Sequence, residues 1–186
     1  VSSLLEHAAP GSDMQRTVWD SWARTAVTPQ ALTRMKAVLE GSVSVPGFTL
    51  DADRRWAVIL KLHELGARAG LTPENLKQLR ESELARDGSA VGKKRVLQAE
   101  AMVPDPINKS RWITEITQNP RALSYDQLRE IAWVLFPPGQ TDLMRGLRAE
   151  LQNKVVEMND RGNIQLAGAF ASELSGMTCD ADSVAS

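Results

Sequence analysis

The most informative stretch of this sequence is residues 50–66, LDADRRWAVILKLHELG. On a helical wheel continued to residue 69, one narrow polar sector holds Arg54, Lys61, Glu64 and Arg68. Two apolar arcs fill the remainder, one of Trp56, Ile59, Leu60 and Ala67, the other of Val58, Leu62, Leu65 and Ala69. A helix with so small a polar face must be covered on more than one side. We therefore predict that this stretch is the central helix of an all-α stack.

Three helix starts elsewhere in the chain share a local pattern. Thr28 and Thr72 each precede a proline, which loses no backbone bond at the first helical position, and Ser124 provides a third N-cap. A leucine follows each cap after four residues, and the caps are 44 and 52 residues apart. These spacings lie near the roughly 40–47 residues of HEAT and armadillo repeats. Because no alternating strand pattern appears, we predict a curved stack of antiparallel helix pairs, a HEAT/armadillo-like superhelix.

Length and charge exclude several classes of protein. The chain has 186 residues and a formal net charge of -1, and we predict a single helical domain over residues 1–186. The chain lacks the excess of basic residues that is typical of nucleic-acid-binding proteins. No apolar run approaches the roughly 20 residues that span a membrane. Its one cysteine, Cys179, precludes an internal disulfide, so we expect a cytoplasmic location.

A zinc site of the H-E-x-x-H type is the first catalytic possibility to weigh. That motif needs two imidazoles one helical turn apart, with the glutamate acting on the metal-bound water. His63 and Glu64 begin such a pattern, but Ala67 occupies the position of the second imidazole. We therefore predict that His63 is a partly buried histidine with a hydrogen bond, and not a metal ligand.

Other reactive residues also have structural explanations. Cys179 has no histidine close in sequence to activate it, and no phosphate-binding glycine loop occurs. Arg54 and Arg55 could hold a peptide carboxylate, but a structural salt bridge is the favoured interpretation. From the residues alone we assign no catalytic, cofactor-binding or metal-ligating residue.

A family resemblance rests on several short segments of this sequence. They are LEGS at 39–42, VPGF at 45–48, LDADRRW at 50–56, PGSD at 10–13, ELARD at 83–87 with Gly92, and Pro104 with Lys109 and Trp112. Over residues 10–140, with these segments taken in their order along the chain, the sequence resembles the C-terminal helical domain of bacterial aminopeptidase N, most of all its actinobacterial members. This is the zinc-dependent, gluzincin-type aminopeptidase family.

The resemblance implies that a parent protein removes N-terminal residues from peptides with a zinc-bound water. It also implies that the zinc, its ligands and the G-x-M-E-N segment belong to a catalytic domain of the same polypeptide. The helical domain would enclose the peptide substrate over the active-site cleft and be inactive alone, with no cofactor of its own. Because the chain begins with Val1, we also expect it to be a piece of a longer protein.

Two rival interpretations stay open. One is a stand-alone α-helical repeat scaffold for protein–protein interaction, which a regular repeat ending in a polar capping helix would favour. The other is a free-standing enzyme, which requires a convergent set of polar residues that the sequence does not display.

Overall fold

The fold is all-α, as predicted. The computed structural model describes residues 2–176, and within them the backbone forms no β-strand, only a single bridge between Val45 and Phe48. The helices are α1 (Ser2–His7), α2 (Asp13–Thr25), α3 (Pro29–Leu39), α4 (Ala52–Leu65), α5 (Pro73–Arg86), α6 (Ala90–Met102), α7 (Pro106–Gln118), α8 (Tyr125–Val134), α9 (Thr141–Asp160) and α10 (Ile164–Gly176).

The predicted helix starts are confirmed at Thr28, Thr72 and Ser124. Each side chain accepts a hydrogen bond from the backbone N–H three residues later, which satisfies one of the free donors at the helix start. The Thr72 and Ser124 caps are completed because their own backbone N–H groups donate to the side-chain oxygens of Asn75 and Gln127. The leucines that follow these caps are all buried: Leu32, Leu76 and Leu128.

Helix α4 is covered on several sides, as its two apolar arcs predicted. It packs against α2, α3 and α5. Its buried side chains are Trp56, Val58, Ile59, Leu62, His63, Glu64 and Leu65. Glu64 lies in the predicted polar sector but is buried, because the ammonium of Lys61 binds its carboxylate at 2.8 Å. The α-helix ends at Leu65, and a 3-10 turn over Gly66–Ala69 carries the last residues of the predicted arcs.

The two N-terminal tryptophans, Trp19 and Trp22, belong to the core. Trp19 is fully buried and Trp22 nearly so, and their rings meet edge to face with centroids 5.2 Å apart. The ring of Phe48 lies 5.0 Å from Trp19 on another side. Aromatic contacts of this kind add to the stabilisation that comes from burial alone. The loop that follows α3 is thereby fixed against α2.

Close backbone contact joins that loop to the turn before α2. Gly47 has φ +71°, and a Cβ at this position would lie 2.5 Å from the Cβ of Pro10. Gln15 connects the same two segments, because its side chain accepts from the N–H of Gly11 at 2.8 Å and donates to the carbonyl of Pro46 at 3.0 Å. Only glycine allows both this backbone conformation and this approach.

The described residues divide into two compact units, one ending at Ala99 and the other beginning at Glu100. In the first, α4 is the central packing element. In the second, α9 packs against α7 and α10, and α10 also packs against α8. The prediction of a single domain over residues 1–186 and that of a HEAT/armadillo-like superhelix stay predictions.

Candidate functional site

Arg54, the first candidate for binding a carboxylate, is held by acids of its own chain. Its Nε and Nη2 donate to the two oxygens of Asp20 on α2 at 2.8 and 2.9 Å, and its Nη1 contacts Asp51, the N-cap of α4. These hydrogen bonds to Asp20 are the main cause that raises the pKa of the guanidinium above its usual value. The structural interpretation of Arg54 is therefore confirmed: it joins α2 to the start of α4.

Arg55, the second candidate, also has an internal partner. Its Nε lies 2.8 and 2.9 Å from the two oxygens of Glu83 on α5, and its Nη1 donates to the carbonyl of Leu39 at the end of α3 at 3.0 Å. The Glu83 side chain is only 2% exposed and that of Arg55 only 16%. The pair is thus withdrawn from water and joins three helices.

Trp56, the next residue of α4, also binds a carboxylate of another segment. Its indole Nε1 donates to Oδ2 of Asp87, which follows α5, at 2.8 Å. Side-chain hydrogen bonds from Ser89 and from Trp56 lower the pKa of the Asp87 carboxyl. Gly92 lies against the same residue, and a Cβ there would come within 2.2 Å of the Asp87 carbonyl oxygen. Three consecutive residues of α4 therefore fix α2, α5 and the turn before α6.

The largest described cavity beside this network lies over α4, between α3 and α5. Its volume is about 420 Å³, and α4 contributes Arg55 and Ile59 to its lining. A second cavity of about 330 Å³ is lined by the end of α3 and the loop that follows it. Arg55 and Arg86 line both cavities. This pair of cavities is the candidate binding region of the first unit.

His63 has a structural environment, as predicted, although its burial is complete. Its Nδ1 lies 2.8 Å from the carbonyl oxygen of Ile59. Burial is the main cause that lowers its pKa to about 4. Because Lys61 already binds the Glu64 carboxylate and Ala67 stands where a second imidazole would be needed, these residues do not fit a zinc site of the H-E-x-x-H type. We derive no metal chemistry from them.

Within residues 2–176, no three histidine, cysteine, aspartate or glutamate side chains are grouped so that they could hold a metal ion. Cys179 lies outside the described residues. Among the helices between residues 2 and 176, none combines the length and the apolar content that a bilayer crossing requires.

Lys109 of the second unit is a buried charged residue, and the sequence did not predict its burial. Its side chain is fully buried, and its ammonium donates to the carbonyl of Ala101 near the end of α6 at 2.6 Å and to the carbonyl of Leu135 after α8. The ring of Phe136 lies 5.4 Å from Nζ. A cation placed where two helices end compensates the partial negative charge of their terminal carbonyls. Its role is therefore to join helices.

Comparison with known proteins gives one informative similarity. Over 122 residues, 64% of this chain, the sequence is 30% identical to aminopeptidase N of Streptomyces lividans. The match covers 13% of that protein, so the chain corresponds to a small part of its length. No family model matches the chain.

The segments that carry the resemblance meet one another in the folded chain. PGSD at 10–13 touches VPGF at 45–48 through Gly47 and Gln15, and DRRW at 53–56 binds ELARD at 83–87 through two side-chain contacts. Lys109 and Trp112 are fully buried in the second unit. These residues therefore contribute to the internal packing of the fold.

Proposed function

We propose that this chain is a helical domain of a zinc-dependent aminopeptidase, that it encloses the peptide substrate of that enzyme, and that it does not hydrolyse peptides by itself. The proposal is carried by the 30% identity over 122 residues to aminopeptidase N of Streptomyces lividans. The zinc and the residues that act on it would belong to a catalytic domain of the same polypeptide, which would be the main partner of this chain.

The structure supports a packing role for the shared segments. Arg54, Arg55 and Trp56 are occupied by internal carboxylates, so the most specific segment of the resemblance maintains the relative positions of α2, α4 and α5. A domain that encloses a substrate needs a stable helical framework, and these contacts contribute to one in the first unit. The contacts with the enclosed peptide would then be made by the surface of the helical domain.

The proposal is tested with the isolated chain and with a chimera. In the chimera, this chain replaces the matching segment of the Streptomyces lividans enzyme. We expect the isolated chain to leave alanine p-nitroanilide intact in the presence of zinc, and the chimera to hydrolyse it. We also expect the chimera to cleave short peptides but to spare the N-terminus of a folded protein. Hydrolysis by the isolated chain, or a folded chimera without activity, would count against the proposal.

A stand-alone helical scaffold is the second candidate. The observation that favours it is the cavity of about 420 Å³ over α4, because a binding scaffold needs a concave surface on its helices. A folded chimera without peptidase activity, together with a protein ligand that binds the isolated chain at this cavity, would make the scaffold the better proposal.

A further inference from the structure

A continuous groove runs over α4 in the first unit. Helices α3 and α5 both pack on α4, and the space between them contains the cavity of about 420 Å³. The cavity of about 330 Å³, at the loop that follows α3, shares Leu39, Glu40, Arg55 and Arg86 with its lining, so the two cavities adjoin. We name this space the α3–α5 groove.

The wall that α5 contributes to the groove is polar. Asn75, Gln78, Ser82 and Arg86 line it at intervals of three or four residues, which places them on one face of the helix. Gln78 and Ser82 are exposed, and their amide and hydroxyl groups can both donate and accept hydrogen bonds. Groups of this kind can bond the N–H and C=O groups of an extended main chain.

The charges of the groove leave a positive surplus at Arg86. Lys36 binds both oxygens of Glu40 at 2.7 Å, and Arg55 binds both oxygens of Glu83. The Nε of Arg86 lies 4.0 Å from Glu83, beyond hydrogen-bond distance, and its side chain is 67% exposed. Arg86 is therefore the more exposed of the two arginines that line the groove, and its N–H groups can bind a carboxylate in addition to the long contact with Glu83.

We propose that the α3–α5 groove binds an extended peptide segment that carries a glutamate or aspartate side chain. Arg86 holds the carboxylate through two parallel hydrogen bonds, and Gln78 and Ser82 bond the main chain. The charge complementarity selects this occupant, because a single surplus cation matches one carboxylate and a polyanion would need a row of cations. The inference concerns the groove alone and does not rest on the proposed peptidase function.

The test is a titration of the isotope-labelled 186-residue chain followed by NMR. The probes are a short capped alanine peptide with one central glutamate, the matched glutamine peptide, and the glutamine peptide with a free C-terminal carboxylate. We expect the glutamate peptide to shift the backbone amide signals of Gln78, Ser82 and Arg86. It should bind at least about tenfold more tightly than the capped glutamine peptide, because a charge-assisted bidentate bond is lost in the latter.

Two variants and one control complete the experiment. Arg86→Gln should lose the preference for glutamate, and Arg86→Lys should retain part of it, since an ammonium lacks the planar fork. Arg16→Gln is the matched control, because Arg16 is an exposed arginine on α2 that pairs with the exposed Asp13. Equal binding of both capped peptides, tighter binding of the free carboxylate, shifts confined to other residues, or full binding by Arg86→Gln would each overturn the proposal.

Discussion

The guanidinium of Arg55 and the carboxylate of Glu83 form an ion pair between α4 and α5, with Nη2 2.7 Å from Oε2. The two residues are 28 positions apart in sequence, so the contact exists only in the folded chain. Removing one member of a buried pair leaves the other charge without compensation, which costs far more than the loss of an exposed pair. The stability of the first unit should therefore depend on this contact.

Arg55→Met should lower the free energy of unfolding by about 3 kcal/mol, because Glu83 is left buried without its cation. The double variant Arg55→Met, Glu83→Leu should recover most of this loss, since it also removes the buried anion. Urea unfolding of both variants gives the two values.

Arg16→Met is the control for this pair. It breaks the exposed contact with Asp13, whose side chain is 97% exposed, and should change stability by less than about 1 kcal/mol. A cost for Arg55→Met that does not exceed this control would show that the buried pair contributes nothing.

Gly92→Ala should destabilise the chain by about 2 kcal/mol or more. The new Cβ would meet the carbonyl oxygen of Asp87 at 2.2 Å, and that oxygen belongs to the backbone and cannot rotate away. Gly88→Ala is the matched control, because nothing lies within 4 Å of its Cβ position. Thermal unfolding should separate the two variants clearly. Equal melting temperatures would mean that α6 shifts without cost.

The helix starts could be predicted because their causes are local. A side-chain oxygen at Thr28 or Ser124 binds an N–H three residues later, and a proline or leucine at fixed spacing strengthens the pattern. The same local reasoning predicted that His63 has a hydrogen bond, and its Nδ1 lies 2.8 Å from the carbonyl oxygen of Ile59, four residues earlier. In each case the deciding residues lie within a turn or two of one another.

The candidate groove could not be predicted, because its causes are tertiary. The sequence favoured structural salt bridges for Arg54 and Arg55, but it could not identify their partners. Those partners are Asp20 and Glu83, which are 34 and 28 residues away. The sequence around Arg86 did not indicate a binding residue, since arginines are common at the ends of helices. Its surplus charge emerges only when Arg55 satisfies Glu83.

Stability should fall as the pH is lowered from about 6.5 to about 4, because of His63. In the folded chain burial lowers its pKa to about 4, whereas the unfolded chain has the ordinary value of 6.5. Between these values the unfolded state binds the additional proton, so protonation favours unfolding. The full stability is present above about pH 6.5, and the loss reaches about 3 kcal/mol near pH 4.

Urea unfolding at several pH values measures this effect, and His63→Gln is the comparison variant. It keeps a side-chain donor for the carbonyl of Ile59 but has no group that titrates in this range. The difference in stability between the two proteins should change by about 3 kcal/mol over the interval. A constant difference would show that His63 is charged or accessible in the folded chain.

Lys109→Met should destabilise the second unit by about 2–4 kcal/mol, although methionine fills a similar volume. The variant leaves the buried carbonyls of Ala101 and Leu135 without the ammonium that binds them, and each unsatisfied buried acceptor costs about 1–3 kcal/mol. Lys154→Met is the control in the same unit, because Lys154 pairs with Glu157 at the surface of α9 and should contribute less than about 1 kcal/mol.

Hydrogen exchange at the ends of α6 and α8 provides the more specific measurement. We expect it to accelerate in Lys109→Met and to stay unchanged in Lys154→Met, and equal exchange in both variants would show that the buried cation does not hold these two helix ends.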